Sequence, residues 1–199
     1  TLTVTDRKVA VFDCDGTVFG QAPYYLADEA LYDYADKNYK NRKDKESRQK
    51  MAILDRMVKD GNNVGKPYVE DRVHFLAGMT PEATLGYDCY MRSYKGKMYP
   101  EMKALISNLK EYGFEVWILT ASPEFLYQRF VASELGIPVT HVLGVKGVVK
   151  NGVMSDEIIM PIPQDDGKAQ VIPTYIKAVP LIVGGNSRGD MDMLNESRG

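Results

Sequence analysis

One apolar segment followed by two acids constrains this chain more than any other feature. Residues 9–12 are apolar, with β-branched and aromatic members, and an acidic loop that Gly16 closes follows them. A short apolar run that ends in turn residues is typical of a buried strand. We therefore expect Asp13 and Asp15 at the carboxyl end of a central strand.

Strands and helices alternate along the rest of the chain. Further apolar runs predict strands at residues 114–120, 141–145 and 181–183, and Asn151-Gly152 predicts a hairpin turn. Helical spacing of apolar residues predicts a helix over 102–109, and another is expected after Ser122, which we assign as its N-cap residue. A third is expected over 167–179, interrupted by Pro173. This order predicts an α/β fold, a Rossmann-like, doubly wound parallel sheet.

The composition of the chain changes after the first strand, and this change interrupts the alternation of strands and helices. Between Tyr24 and Tyr99 the chain is charged and helix-forming, and this stretch holds ten of the thirteen tyrosines. We interpret residues 21–98 as an inserted α-helical cap. Residues 1–20 and 99–199 then form the α/β core.

Charge and hydropathy narrow the classes of partner. The 199 residues carry a net charge of -2, which lacks the basic field that holds nucleic acid phosphates. No apolar run approaches the roughly 20 residues of a membrane-spanning helix, so we expect a soluble protein without a membrane span. Two cysteines do not indicate a disulfide framework. A cytoplasmic and a periplasmic or exported location both stay open, as does the oligomeric state.

Polar residues follow several predicted strands in the positions where such sheets bind ligands. Asp13 and Asp15 are two positions apart, so one can act as a nucleophile and the other as an acid or base. A turn with solvated acids is the alternative, and the motif alone favours function over it. Further polar residues recur in order at Thr120, Lys168, Asn186 and Asp190. The acidic loop, Thr120, Lys168 and the segment with Asn186 and Asp190 are four elements in a fixed order, which favours a functional site over a chance arrangement.

With these motifs the chain resembles the haloacid dehalogenase superfamily, in particular its phosphoserine-phosphatase-like branch with a helical cap after the first strand. The resemblance implies that Asp13 is the nucleophile that forms an aspartyl-phosphate and that Asp15 is the acid and base. It implies that Thr120 holds phosphate oxygens and that Lys168 neutralises charge on phosphate and nucleophile. Asp15 favours phosphate ester cleavage over dehalogenation, because a halide leaving group needs no proton.

The same resemblance implies the remaining site residues. A Mg²⁺ ion would be held by Asp13, the backbone carbonyl of Asp15, Asn186 and Asp190. Contacts to the substrate are expected from Gly16, Thr17, Ala121, Ser122 and Tyr24. Arg56 and Arg72 are interpreted as members of surface ion pairs rather than as substrate contacts.

Two departures from the family pattern bear on function. Asn186 stands where relatives commonly have aspartate, and the segment Gly20 to Pro23 lacks the glutamate that phosphoserine phosphatases usually carry. We expect a Mg²⁺-dependent phosphatase for a small-molecule phosphomonoester, similar to phosphoserine or phosphocholine phosphatases, and a phosphomutase stays open. The cap tyrosines are candidates for a choline cage, although packing is the commoner role. The alternative is a phosphate-binding protein or regulator whose catalytic activity is reduced because Asn186 replaces an aspartate.

Overall fold

A five-stranded sheet forms the centre of the protein. The computed structural model describes residues 7–60, 65–80 and 84–198. The strands are β1 (Val9–Asp13), β2 (Glu115–Pro123), β3 (Val142–Lys150), β4 (Val153–Ile159) and β5 (Ile182–Gly184). Their order is β4-β3-β2-β1-β5, and every pairing is parallel except that of β3 with β4. The predicted α/β sheet is confirmed as a mainly parallel one with an antiparallel strand at one edge.

The antiparallel edge is the predicted hairpin. Asn151 and Gly152 join β3 to β4, with φ values of 52° and 79°. Two successive positive φ values match the right-handed twist of the flanking strands. A single tight turn thus accounts for the one departure from parallel pairing.

Helices lie between and after the strands. They are α1 (Leu26–Asn38), α2 (Lys45–Asp60), α3 (Lys66–Leu76), α4 (Thr84–Cys89), α5 (Pro100–Glu111), α6 (Glu124–Leu135), α7 (Asp166–Val171) and α8 (Met191–Leu194). A π-helical turn, Ile172–Ile176, follows α7 and contains Pro173, as expected from a proline that removes one backbone donor. None of the helices in the described ranges is long and apolar enough to cross a membrane.

Both faces of the sheet are covered, which the doubly wound arrangement requires. Phe12 and Ile118 pack on one face within the larger apolar cluster, which also contains Phe130 of α6. Val11 and Leu119 belong to the cluster on the other face, with apolar residues from α7 to α8. All five residues of β1 are buried, so the first strand is central, as predicted.

The helices α1 to α4 fall within the predicted cap, residues 21–98, whose boundaries stay a prediction. One contact within this region, between α2 and α3, is polar. The Lys50 ammonium of α2 donates to the carbonyls of Phe75 and Ala77, both at 2.6 Å, at the C-terminus of α3. Cations stabilise helix C-termini because the last carbonyls lack partners within the helix.

One local prediction is wrong. Strand β2 continues through Ser122 to Pro123, and α6 begins at Glu124 without a side-chain cap. Ser122 is therefore the end of a strand and not an N-cap residue. The pairing of Pro123 with Val145 of β3 keeps Ser122 within the strand, and Pro123, the N-cap residue, has no side-chain acceptor for the first N–H groups of α6.

Candidate active site

The nucleophile candidate lies at the carboxyl end of the central strand. Asp13 is the last residue of β1 and is 5% exposed. Its Oδ1 atom accepts a hydrogen bond from Lys168 Nζ at 2.5 Å, and its Oδ2 atom accepts one from the Thr17 hydroxyl at 3.0 Å. Parallel strands place their carboxyl ends along one edge, which is why residues from distant parts of the chain meet here.

Lys168 is held between two carboxylates. Its ammonium also donates to Asp190 Oδ1 at 2.5 Å, and all three side chains are buried. The close packing of Gly167 brings the lysine into place, since a Cβ at Gly167 would lie 1.8 Å from the carbonyl oxygen of Ile162. A side chain one position before the lysine would thus displace α7 from the site.

The charges shift the pKa values of this triad in ways that follow from burial and pairing. Burial raises the pKa of Asp13, and Lys168 opposes that rise. Burial by itself lowers the pKa of Lys168, but the charges of Asp13 and Asp190 outweigh it and raise the pKa. For Asp190 burial acts upward, yet Lys168 and the backbone amide of Ser187 lower the pKa. The lysine therefore stays charged beside the candidate nucleophile.

Asp15 faces a different set of partners. Its Oδ1 atom accepts a hydrogen bond from Tyr127 at 2.8 Å and its Oδ2 atom accepts one from Thr120 at 3.0 Å. Burial, followed by the charge of Asp13, raises the pKa of Asp15 to about 6. A carboxyl group with such a pKa exchanges its proton near neutral pH, as general acid–base chemistry requires.

The predicted phosphate-holding residues lie next to Asp15. Thr120 is fully buried, and besides donating to Asp15 its oxygen accepts the Ser122 backbone N–H at 3.1 Å. Ala121 and Ser122 line the cavity that Asp13 and Asp15 also line. Thr120 thus holds the acid–base candidate in place, and its contact with phosphate stays a prediction.

The loop after β5 carries the other predicted residues. Asn186 packs against Gly16, whose φ is +92° and where a Cβ would lie 2.0 Å from Asn186 Nδ2. Asp190 Oδ2 accepts the backbone N–H groups of Asn186 at 3.0 Å and Ser187 at 2.9 Å, as well as the Ser187 hydroxyl. Both oxygens of Asp190 are therefore engaged in positioning Lys168 and this loop, and its role as a metal ligand stays a prediction.

The cavity that Asp13 and Asp15 line, which we call the catalytic cavity, has a volume of about 330 Å³. Lys168 and Asn186 also line it, and so does Arg72 of α3, which falls within the predicted cap. Arg72 is 1% exposed and pairs with Asp28 of α1 through Nε at 2.8 Å and Nη2 at 3.0 Å. The interpretation of Arg72 as a surface residue is wrong, because a partner 44 positions away in the sequence neutralises its charge inside the protein.

Arg56 behaves as the sequence suggested. Its side chain is 54% exposed and forms an ion pair with Asp71 at 2.6 Å. It does not line the catalytic cavity. The contrast between the two arginines follows from their helix positions and not from their residue type.

Tyr24 lies beside the catalytic cavity and not within it. Its side chain is 62% exposed and lines a neighbouring cavity of about 750 Å³. Gln21 and Tyr25 line both cavities, so the two spaces adjoin.

The oxygen donors beside Asp13 fit a magnesium ion. The Asp13 carboxylate and the Asn186 amide border the same cavity, at the loop that contains Asp15. Mg²⁺ prefers oxygen ligands, usually takes one or two carboxylates and keeps several waters. Over residues 7–60, 65–80 and 84–198, no three His, Cys, Asp or Glu side chains are grouped to hold a metal. The donors thus fit an ion held by one carboxylate, neutral oxygens, water and substrate phosphate.

Tyr127 is a functional candidate that sequence reasoning missed, and Arg72 is one that it assigned to the surface. Tyr127 lies one turn into the helix that follows β2, so its position after a strand end was a usable signal. Arg72 gave no local signal, because its burial depends on Asp28 in another helix.

Comparison with known proteins agrees with this geometry. The family model described as haloacid dehalogenase-like hydrolase matches residues 10–195. A comparison with curated proteins finds no match. The expected resemblance to this superfamily is confirmed by the family model over almost the whole chain.

Solved structures share the fold at low sequence identity. A conserved protein of unknown function from Anaerococcus prevotii DSM 20548 is 18% identical with a TM-score of 0.69, over 97% of this chain and 77% of that chain. A protein of unknown function from Bordetella pertussis Tohama I is 16% identical with a TM-score of 0.68, over 87% and 75%. A phosphoserine phosphatase solved as a phospho-aspartyl intermediate analogue is 14% identical with a TM-score of 0.56, over 97% and 84%. At these identities the likeness shows the fold alone.

Proposed function

This chain belongs to the haloacid dehalogenase-like hydrolase family, and we propose that it hydrolyses a small-molecule phosphomonoester through an aspartyl-phosphate. The observation that carries the proposal is the pairing at the end of β1. There the Asp13 carboxylate lies 2.5 Å from the Lys168 ammonium, and Asp15 follows two residues later with its own hydrogen-bond partners. One carboxylate is thus paired with a lysine, while the other has a pKa of about 6.

In the first step an Asp13 carboxylate oxygen attacks phosphorus. The bond from phosphorus to the ester oxygen breaks, and protonated Asp15 gives its proton to that oxygen. Lys168 balances the negative charge that spreads over the phosphoryl oxygens during transfer. Ala121 and Ser122, which line the cavity, would contact the phosphate.

In the second step water attacks the aspartyl-phosphate. Asp15, now a carboxylate, accepts a proton from that water, and the bond between phosphorus and Asp13 breaks to release inorganic phosphate. Tyr127 and Thr120 keep the Asp15 carboxylate in one position through both steps. A phosphoserine phosphatase of this fold has been solved as a phospho-aspartyl intermediate analogue, which supports the same chemistry here.

Asp13, Asn186 and the backbone carbonyl of Asp15 would hold Mg²⁺, with Asp190 as the further predicted ligand. When bound, the ion supplies positive charge beside the phosphate and lowers the repulsion between two anions.

Release of inorganic phosphate from a panel of phosphomonoesters, with and without Mg²⁺, tests the proposal. We expect Asp13→Asn to abolish turnover and Asp15→Asn to lower it by about 10²-fold to 10⁴-fold. Asp192→Asn is the matched control, because Asp192 is exposed in the neighbouring helix α8 and does not line the cavity. Unchanged turnover in both site variants would contradict the proposal.

One observation favours a second candidate, a phosphate-ligand binding protein or regulator. Asn186 brings no charge, and both oxygens of Asp190 are engaged by Lys168 and the loop, which leaves Asp13 as the anionic donor. This candidate predicts binding of a phosphate analogue without turnover by the natural chain. It also predicts turnover in Asn186→Asp, whereas brisk hydrolysis by the natural chain would exclude it.

A further inference from the structure

A second cavity adjoins the catalytic one, because Gln21 and Tyr25 line both. Four tyrosines line it, and we call it the tyrosine chamber: Tyr24, Tyr25, Tyr32 and Tyr68. Its volume is about 750 Å³, room for about 25 water-sized groups at roughly 30 Å³ each. That is far more than the side chain of serine or a choline head group fills. The chamber is thus large enough for a ring-bearing group.

The walls of the chamber carry little net charge. Among the described residues that line it, Asp28 alone is acidic, and none is basic. Asp28 is neutralised by the two hydrogen bonds from Arg72 and accepts a third from the Tyr68 hydroxyl at 2.8 Å. An incoming cation would therefore find the carboxylate already paired.

The ring faces that would hold a cation are also engaged. The Arg72 guanidinium lies 5.3 Å from the centre of the Tyr25 ring and 4.9 Å from that of Tyr68. Cation–π contacts attract one cation to a ring face, and a second cation close by is repelled by the first. Two of the four tyrosines are thus occupied by the protein's own arginine, so the chamber is poorly suited to choline or to a substrate ammonium group.

The remaining surface suits an uncharged aromatic group. Tyr32 is half-buried and Tyr24 is exposed, while the exposed side chains of Val58 and Pro23 add apolar surface. Aromatic rings pack against one another in offset or edge-to-face arrangements. Resting on the proposed phosphatase function, we propose that the tyrosine chamber binds the leaving group, and that the substrates are phosphate monoesters of uncharged alcohols that carry an aromatic ring.

Four esters of simple primary alcohols test this selectivity. They are 2-phenylethyl phosphate, 3,3-dimethylbutyl phosphate, phosphocholine and ethyl phosphate, the second of which is the uncharged counterpart of phosphocholine. We expect kcat/KM to be highest for 2-phenylethyl phosphate, at least roughly tenfold above phosphocholine, with 3,3-dimethylbutyl phosphate between them. Ethyl phosphate places nothing in the chamber and reports the basic chemistry.

Variants locate the selectivity in the chamber. Tyr32→Leu is expected to lower the ratio of kcat/KM for 2-phenylethyl phosphate to that for ethyl phosphate by about tenfold. Tyr112→Leu is the control and is expected to leave the ratio unchanged, because Tyr112 is 73% exposed and does not line the chamber.

The outcomes separate the two proposals. A higher kcat/KM for phosphocholine than for 3,3-dimethylbutyl phosphate would overturn the chamber proposal. So would an equal ratio of kcat/KM for 2-phenylethyl phosphate to that for ethyl phosphate in the unsubstituted protein and in Tyr32→Leu. In either case hydrolysis of ethyl phosphate would still support the phosphatase function. Absence of phosphate release from all four esters would overturn both.

Discussion

The buried ion pair of Asp28 and Arg72 allows a prediction about stability, and an exposed ion pair in the same chain provides the control. We expect Asp28→Asn to be strongly destabilising, because it leaves the Arg72 guanidinium charged in the interior without its partner. The two side chains are 6% and 1% exposed. Removal of one member of such a pair typically costs about 3–5 kcal/mol, against a total free energy of unfolding of about 5–15 kcal/mol.

The matched control lies eight residues away in the sequence, near the other end of α1. Asp36 pairs with Lys40 at 2.5 Å, but these side chains are 60% and 61% exposed. Asp36→Asn is therefore expected to cost only about 0.3–0.5 kcal/mol. The two substitutions are chemically identical, so the difference between them measures burial.

Urea and thermal unfolding of the three proteins provide the measurement. For a chain of this size the expected loss in Asp28→Asn corresponds to a fall in Tm of roughly 10 °C. The double variant Asp28→Asn with Arg72→Met is expected to be more stable than Asp28→Asn alone, because it removes the uncompensated charge. A loss in Asp28→Asn no larger than that in Asp36→Asn would refute the reasoning.

Three further predictions concern the site and the contact between cap and core. Asn186→Asp is expected to bind Mg²⁺ about tenfold or more tightly, measured as the Mg²⁺ dependence of phosphate release, since it adds a negative charge at the donor position; unchanged dependence would argue against Asn186 as a ligand. Tyr127→Phe removes a hydrogen bond that lowers the pKa of Asp15, so the inflection of the pH–rate profile near pH 6 is expected to move to higher pH, while Tyr112→Phe leaves it in place. Gly86→Ala is expected to cost about 1–3 kcal/mol in urea unfolding, because the new Cβ would lie 2.0 Å from the Leu126 carbonyl oxygen, whereas Gly65→Ala meets nothing closer than 3.8 Å and is expected to be nearly neutral.

The parts of the fold that the sequence predicted are those with local causes. The apolar run of β1, the helix over 102–109 and the Asn151-Gly152 turn depend on residues close together in the chain. The prediction at Ser122 was wrong because it used a local pattern, whereas a contact distant in the sequence decides the structure there. A hydroxyl before a proline and an acid has the pattern of a helix start, but pairing with β3 continues the strand through that position.

The site divides in the same way. Asp13, Lys168 and Asp190 were predictable because each follows a recognisable motif, and the structure brings the three together. The burial of Arg72 was not predictable, since an arginine in an amphipathic helix reads as exposed until its partner in another helix is known. Long-range pairing of this kind leaves no pattern in the sequence.

The position of β1 between β2 and β5 has a consequence for synthesis of the chain on the ribosome. About 170 residues separate Asp13 from β5, so at about 5–20 residues per second the final neighbour of the central strand emerges on the order of 10–30 s later. Until then one hydrogen-bonding edge of an apolar strand lacks its described partner, and such edges invite pairing with other chains. Lys168 reaches Asp13 only in the same late period, so this ion pair forms only after the 154 residues between them have been synthesised.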